Sequence, residues 1–246
     1  MANTSDNSHA KNVTNFESLI SAVTIIGDAY KPTKDSIKLT ALQTLLASAN
    51  DALIALKNAE SAYSTAIDVR ELAYKPLGSL FTKVSNALKA SSSSEQADKT
   101  AKTIFRRLQG KRATAKLTDD EKKSMEAGGV GVNQISASQM GYDERVNNFE
   151  KLIALLQTIP EYKPNEDELK VETLQTLLTD LKTKNSEVVK TYLVLETARG
   201  VRNGLLYKPQ TGIVDISLDI KAYIKSVFGA TSTQYKLISK LRFVKI

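Results

Sequence analysis

The sequence predicts an all-α protein built from two diverged copies of a roughly four-helix unit, each with one long central helix. Apolar residues recur at spacings of three and four along most of the chain, as they do on the buried face of a helix. Short segments of the first half return in the second half in the same order. Four of the five prolines stand in Tyr-Lys-Pro triplets between these helical segments. The pattern leaves open whether the copies pack as two bundles or as one fused bundle.

The internal repeat is the basis for predicting a duplication. Asn-Phe-Glu at 15–17 returns at 148–150, an offset of 133, and Leu-Gln-Thr-Leu-Leu at 42–46 returns at 174–178, an offset of 132. Two long copies indicate a duplicated bundle rather than a solenoid array, whose repeats are shorter and more numerous. The predicted organisation is a polar leader over 1–13, repeat 1 over 14–110, a basic linker rich in Gly and Ser with a short helical turn over 111–146, and repeat 2 over 147–246.

Capping patterns predict where the helices of each copy begin. Thr14 with Glu17, and Asn147 with Glu150, have the spacing of a capped first turn. The long helix of repeat 1 is expected over 35–73. Two shorter helices follow it, and the last of them is expected to start after Ser93 in repeat 1 and to reach the C-terminus in repeat 2.

The Tyr-Lys-Pro triplets predict helix boundaries, because proline ends the helix before it and fits the first turn of the next one. Their tyrosines are Tyr30, Tyr74, Tyr162 and Tyr207. We interpret these side chains as aromatic plugs that cover bundle ends, and a docking motif is the alternative.

Composition restricts the chemistry available to the chain. It has no cysteine and one histidine, His9, so thiolate chemistry and paired-histidine metal sites are excluded. The acidic run 119–121 is the kind of sequence that begins a helix, where carboxylates meet the positive end of the helix dipole. We therefore predict no catalytic residue, no metal site and no cofactor, and we expect the protein not to be an enzyme.

The leader lacks the apolar core of a secretory signal, and no stretch was expected to reach the roughly 18 apolar residues of a membrane span. These observations predict a cytoplasmic protein without a membrane span. The net charge of +7 makes contact with an anionic partner conceivable.

The fourth helix of repeat 1 carries the most concentrated basic surface. On a helical wheel its cations lie opposite an apolar stripe that includes Ala101, Phe105 and Leu108. The candidate surface for an anionic partner consists of Lys99, Lys102, Arg106, Arg107, Lys111 and Arg112. A solvated face above a core stripe is the alternative interpretation, because no aromatic residues interleave with the charges.

Two arginines stand at matching positions of the long helices, Arg70 in repeat 1 and Arg202 in repeat 2. A cation near a helix C-terminus stabilises the helix by itself, and an anion site is the alternative interpretation.

Several segments resemble an uncharacterised family of tandem-duplicated helical proteins found in Bacteroidota. The resemblance covers nearly the whole chain and is strongest at 41–43, 106–113, 133–136, 148–152, 162–166 and 223–230. It implies an all-helical, duplicated fold and implies no activity, ligand or catalytic residue.

These observations predict a structural or self-assembling protein that acts through protein–protein contacts, with itself, as an oligomer or filament, or with another protein as partner. The alternative is a protein that binds nucleic acid or another anionic surface through the basic helix around 99–116.

Overall fold

The computed structural model describes residues 4–111, 118–128 and 140–246, and all regular structure in these ranges is helical. The α-helices are α1 Thr4–Ile26, α2 Leu39–Tyr74, α3 Leu77–Ala90, α4 Glu95–Leu108, α5 Asp119–Ala127, α6 Tyr142–Gln157, α7 Val171–Tyr207, α8 Ile213–Phe228 and α9 Thr233–Ser239. Short 3-10 turns cover Gly27–Ala29, Asp35–Ile37 and Asp167–Leu169. The prediction of an all-α fold is therefore confirmed for the described residues, among which no strand occurs.

The predicted starts of the first helix in each repeat are wrong. Thr14 lies inside α1, where its hydroxyl donates to the Ala10 carbonyl at 3.1 Å, and α6 begins at Tyr142, before Asn147. The predicted polar leader contains the first turns of α1 because Asn12 and His9 are buried by tertiary contacts that a capping pattern does not reveal. The last helix also stops short of the C-terminus, at Ser239.

The proline triplets do lie at helix boundaries. Pro76 directly precedes α3, Pro209 lies in the turn between α7 and α8, and Pro32 and Pro164 precede the 3-10 turns that lead into the long helices. The short helical turn predicted in the linker corresponds to α5, at whose start the Thr118 hydroxyl and backbone N–H both donate to the Glu121 carboxylate.

The chain divides into two compact units, and each takes segments from both sequence repeats. Unit 1 consists of Met1–Ser64 and Thr191–Ile246, and unit 2 is the continuous stretch Thr65–Lys190. The long helices α2 and α7 each contribute one part to each unit. The compact units therefore do not coincide with the repeats at 14–110 and 147–246.

In unit 1, α1 packs against α8 and α9. Its core contains fully buried side chains from the start of the chain, such as Phe16 and Leu19, and from its end, such as Ile220 and Ile238. Burying each of these large apolar side chains contributes about 1.5–3 kcal/mol. The unit is thus stabilised mainly by contacts between residues about 200 positions apart in sequence.

Buried asparagines hold the extended C-terminal segment of unit 1 against α1. Asn12 donates from Nδ2 to the Val244 carbonyl at 2.8 Å and accepts from the Val244 N–H at 3.0 Å. Asn15 donates to the Arg242 carbonyl at 2.6 Å. These side chains satisfy backbone groups that no helix or sheet would otherwise pair.

Unit 2 packs α4 against α6 and α3, and its core is continuous from Tyr74 to Leu181. The rings of Phe81 and Phe149 meet edge to face with centroids 5.1 Å apart. The apolar stripe predicted for α4 is buried here, because Ala101, Phe105 and Leu108 are all inaccessible to solvent.

The triplet tyrosines are mostly buried, in agreement with the plug interpretation. Tyr30, Tyr74 and Tyr162 are each at most 9% exposed. The Tyr30 hydroxyl donates to the Ile37 carbonyl at 2.7 Å, and the Tyr162 hydroxyl donates to the Leu169 carbonyl at 2.8 Å. In both units the same bond therefore ties the triplet to the turn that precedes a long helix.

Removing either hydroxyl should destabilise the unit that contains it. We expect Tyr30→Phe and Tyr162→Phe each to lower the free energy of unfolding by about 1–2 kcal/mol, because each leaves a buried carbonyl without its donor. Urea denaturation followed by circular dichroism measures this, with Tyr63→Phe, a partly exposed tyrosine, as the control. Equal stability of all three variants would contradict the role assigned to these bonds.

The buried phenols should also make the protein sensitive to alkali. Burial raises the pKa of Tyr162 to about 12 and raises the pKa of Tyr30 well above its ordinary value. A tyrosine in the unfolded chain ionises near pH 10, so this stability is fully present below about pH 10 and is lost as pH rises through the folded pKa. Denaturation midpoints measured from pH 8 to 12 should therefore fall above pH 10, and less so in the double Tyr30→Phe/Tyr162→Phe variant.

Candidate basic groove between α3 and α4

A groove in unit 2 lies between α3 and α4, and the short connection between these helices fixes its geometry. Ser94 caps α4 by accepting from the Ala97 N–H at 3.3 Å, one residue after the serine predicted from the sequence. Ser93 instead donates to the Asp98 carboxylate at 2.6 Å. At the other end, Gln109 donates to the Thr82 hydroxyl of α3 at 3.3 Å. Both ends of α4 are therefore tied to α3 or to the turn between them.

The groove has a volume of about 580 Å³ and a lining that is polar at the rim and apolar at the floor. Leu88, Ala101 and Phe105 contribute the apolar surface. Its charged lining residues are Lys89, Lys99, Lys102, Arg106 and Lys111 on the basic side, and Glu95 and Asp98 on the acidic side. Five cations and two carboxylates give the groove a net charge of +3.

Most of this positive charge is not neutralised within the unit. Lys99 forms an ion pair with Glu95 at 2.7 Å, but both side chains are largely exposed, so the pair contributes little to stability. Lys89, Lys102, Arg106 and Lys111 form no ion pair with any carboxylate in the described parts of the chain. Cations grouped on one groove repel one another, and an anionic partner would relieve that repulsion.

The structure brings four of the six predicted site residues together. Lys99, Lys102, Arg106 and Lys111 line the groove, whereas Arg107 is exposed and is not part of its lining. Arg112 lies outside the described residues.

Sequence analysis missed Lys89, which enters the groove from the last turn of α3. Nothing in its sequence context separates it from an ordinary cation at a helix C-terminus. Its role depends on the packing of α3 beside α4, which helical periodicity cannot specify.

The two matching arginines of the long helices have different surroundings. The Arg70 guanidinium lies 3.8 Å from the centre of the Tyr142 ring, and Tyr142 in turn meets Tyr74 edge to face. Arg202 donates from Nε and Nη2 to the Asn203 side chain at 3.1 and 3.0 Å. The cation–π contact between Arg70 and Tyr142 stabilises unit 2 by about 0.5–2 kcal/mol, so Arg70 has a structural role that requires no bound anion.

Among the described residues there is no cluster of three or more His, Cys, Asp or Glu side chains that could hold a metal ion. His9 is buried in unit 1, with Nδ1 2.6 Å from the Tyr207 hydroxyl.

An 18-residue window within Leu39–Ala90 meets the length and hydropathy criteria for a membrane span, with a mean hydropathy of 1.3. The sequence expectation that no stretch approaches such a span is therefore too strict. One helix of this kind is weak evidence for a span, because core helices of soluble proteins pass the same test.

No family model, no curated protein and no solved structure matches the chain.

The groove cations should be dispensable for folding. We expect Lys102→Gln/Arg106→Gln to change the free energy of unfolding by less than about 0.5 kcal/mol, because neither side chain has an ion-pair partner to lose. Urea denaturation measures this. A loss of more than about 1.5 kcal/mol would show that these cations stabilise unit 2 instead of serving a partner.

Proposed function

We propose that this chain is a non-enzymatic protein that acts through protein–protein contacts, and that the basic groove of unit 2 binds an acidic surface of its partner. The observation that carries the proposal is the grouping of Lys89, Lys102, Arg106 and Lys111 around one groove, where none of them forms an ion pair within the described residues. Electrostatic complementarity of this kind speeds encounter and selects partners.

Two features of the groove favour an acidic protein surface over nucleic acid. Phe105 is the single aromatic lining residue, and it is buried, so no exposed ring is available for stacking on bases. Glu95 and Asp98 also lie in the groove, where they repel any anion. Basic side chains among the carboxylates of a protein surface offset that repulsion, whereas a phosphate backbone has no such cations.

The non-enzymatic part of the proposal rests on the side chains that the sequence supplies. The chain has no cysteine, and its one histidine is buried beside Tyr207. The groove itself contains no pair of groups arranged as a nucleophile and its base, because its titratable side chains are lysines, one arginine and two solvated carboxylates.

We also infer that the chain arose by duplication of a four-helix unit. The long helices have 36 and 37 residues, and each follows a 3-10 turn whose last carbonyl accepts from a triplet tyrosine. Phe16 and Phe149, which the repeat aligns, are both fully buried. An experimental structure in which the helices of 14–108 and 147–239 fail to superpose would count against this inference.

The proposal predicts selective binding of an acidic helical peptide. At about 150 mM salt, a labelled peptide rich in Glu and Leu should bind the full chain, and Lys102→Gln/Arg106→Gln should weaken binding by about fivefold or more, because two charge pairs are lost. Fluorescence anisotropy measures this. The matched control is Arg107→Gln/Lys151→Gln, which removes the same charge from exposed positions of unit 2 outside the groove and should bind as the native chain does.

Single-stranded DNA serves as the competing ligand in the same assay. Sub-micromolar retention of the DNA by the native chain, lost in the groove variant, together with no binding of the peptide, would replace the proposal by the nucleic-acid alternative. In that case the logarithm of the DNA affinity should fall linearly with the logarithm of salt concentration, because phosphate contacts release counterions.

A further inference from the structure

A second charged surface of unit 2 complements the basic groove. The acidic loop, residues 160–172, comprises most of the connection between α6 and α7 and the first two residues of α7. It contains five carboxylates and two lysines, a net charge of −3. All five carboxylate side chains are exposed. The groove, with its net charge of +3, thus has a surface of opposite charge in the same unit.

Part of the acidic loop is already neutralised, and part is available. Asp167 pairs with Lys170 at 2.6 Å, and Glu168 pairs with Lys83 of α3 at 2.8 Å. Glu161, Glu166 and Glu172 form no ion pair within the described residues.

Glu161 and Glu166 border a common concavity of about 550 Å³, which also has Lys83, Tyr162 and Lys163 in its lining. This side of the loop therefore presents two unpaired carboxylates close together, on a backbone held by the bond from Tyr162 to Leu169.

The loop of one molecule cannot reach the groove of the same molecule, because the two surfaces lie on opposite sides of α3. The groove is lined by Ser85, Leu88 and Lys89 of this helix, whereas the concavity beside the acidic loop is lined by Lys83, Asn86, Ala87 and Ala90. At 100° per residue, the two sets are centred about 150° apart around the helix axis. The complementary surfaces are therefore both accessible to other molecules at once.

The corresponding loop of unit 1 does not have this character. The repeat aligns residues 28–40 with 160–172, and the earlier segment carries three lysines and two aspartates, a net charge of +1. Lys34 stands at the position of Glu166, and it pairs with Asp219 at 2.6 Å. The acidic surface is thus specific to unit 2. Of the two loops, the loop of unit 2 is therefore the one whose charge is opposite to that of the groove.

We propose that the partner of the basic groove is a second copy of this chain, whose acidic loop docks there through Glu161 and Glu166. This inference rests on the proposed function and names the occupant of the same site. The contact joins two different surfaces, so each docked molecule leaves one groove and one loop free, and assembly continues head to tail until a ring closes or a filament forms.

Charge-reversal variants of the full chain test this arrangement. Sedimentation velocity over about 1–200 µM chain and at about 50 and 500 mM salt should show a mean mass that rises with concentration and falls with salt. The groove-reversed chain, Lys102→Glu/Arg106→Glu, and the loop-reversed chain, Glu161→Lys/Glu166→Lys, should each require at least about tenfold more protein to assemble, because like charges then face each other. Circular dichroism confirms that each variant is folded.

The equimolar mixture of the two reversed chains is the decisive sample. The acidic groove of one then matches the basic loop of the other, and the native pair of surfaces also remains between them, so assembly should return to near the native level. Arg107→Glu/Lys151→Glu, which reverses two charges of unit 2 outside the groove lining, is the control and should assemble as the native chain does.

A native chain of single-molecule mass throughout, or a mixture that does not assemble, would overturn the inference. If the chain stays monomeric while the groove still binds the acidic peptide and Lys102→Gln/Arg106→Gln abolishes that binding, the self-association is wrong and the proposed function stands. If neither occurs, both are wrong.

Discussion

The burial of one face of α4 is the constraint on which the groove depends. Ala101, Phe105 and Leu108 are inaccessible because α4 packs against α6 and α3. A helix buried along one stripe must turn its opposite face outward, and in α4 that face contains Lys99, Lys102 and Arg106. The same core contacts that stabilise unit 2 therefore also bring the cations together, at the electrostatic cost of grouping five cations with only two carboxylates.

Sequence periodicity was sufficient for the class of the fold and for the buried face of α4, because both depend on local spacing along one helix. It was insufficient for the starts of α1 and α6. In α1, the polar residue Asn12 falls in the predicted solvated leader, and its burial is explained only by the backbone at Val244 that it binds. Capping rules describe isolated helix ends, and tertiary contacts here extend the helix past them.

The candidate groove was predictable in its α4 part and not in its α3 part. Four of its five cations belong to or follow α4 and share a pattern, whereas Lys89 joins them only through the packing of two helices. The division into units shows even more strongly that a sequence pattern does not predict which helices pack together. Matching segments identify two repeats, but they do not say which segments share a core, and the cores of both units combine residues from both repeats. Pairing of distant segments is decided by complementary packing, which a one-dimensional pattern does not contain.

The discontinuity of unit 1 also imposes an order of events during synthesis. Unit 2 is one continuous stretch that ends at Lys190, so all of its core residues are synthesised before the C-terminal segment of unit 1. The core of unit 1 cannot form before that segment has been synthesised, because it contains Ile220 and Ile238 as well as Phe16. The apolar face of α1 is therefore without its native cover until Ile238 has been synthesised, and at about 5–20 residues per second this interval lasts on the order of ten seconds or more. During this interval the exposed apolar face of α1 is open to contacts with other molecules that the folded unit excludes.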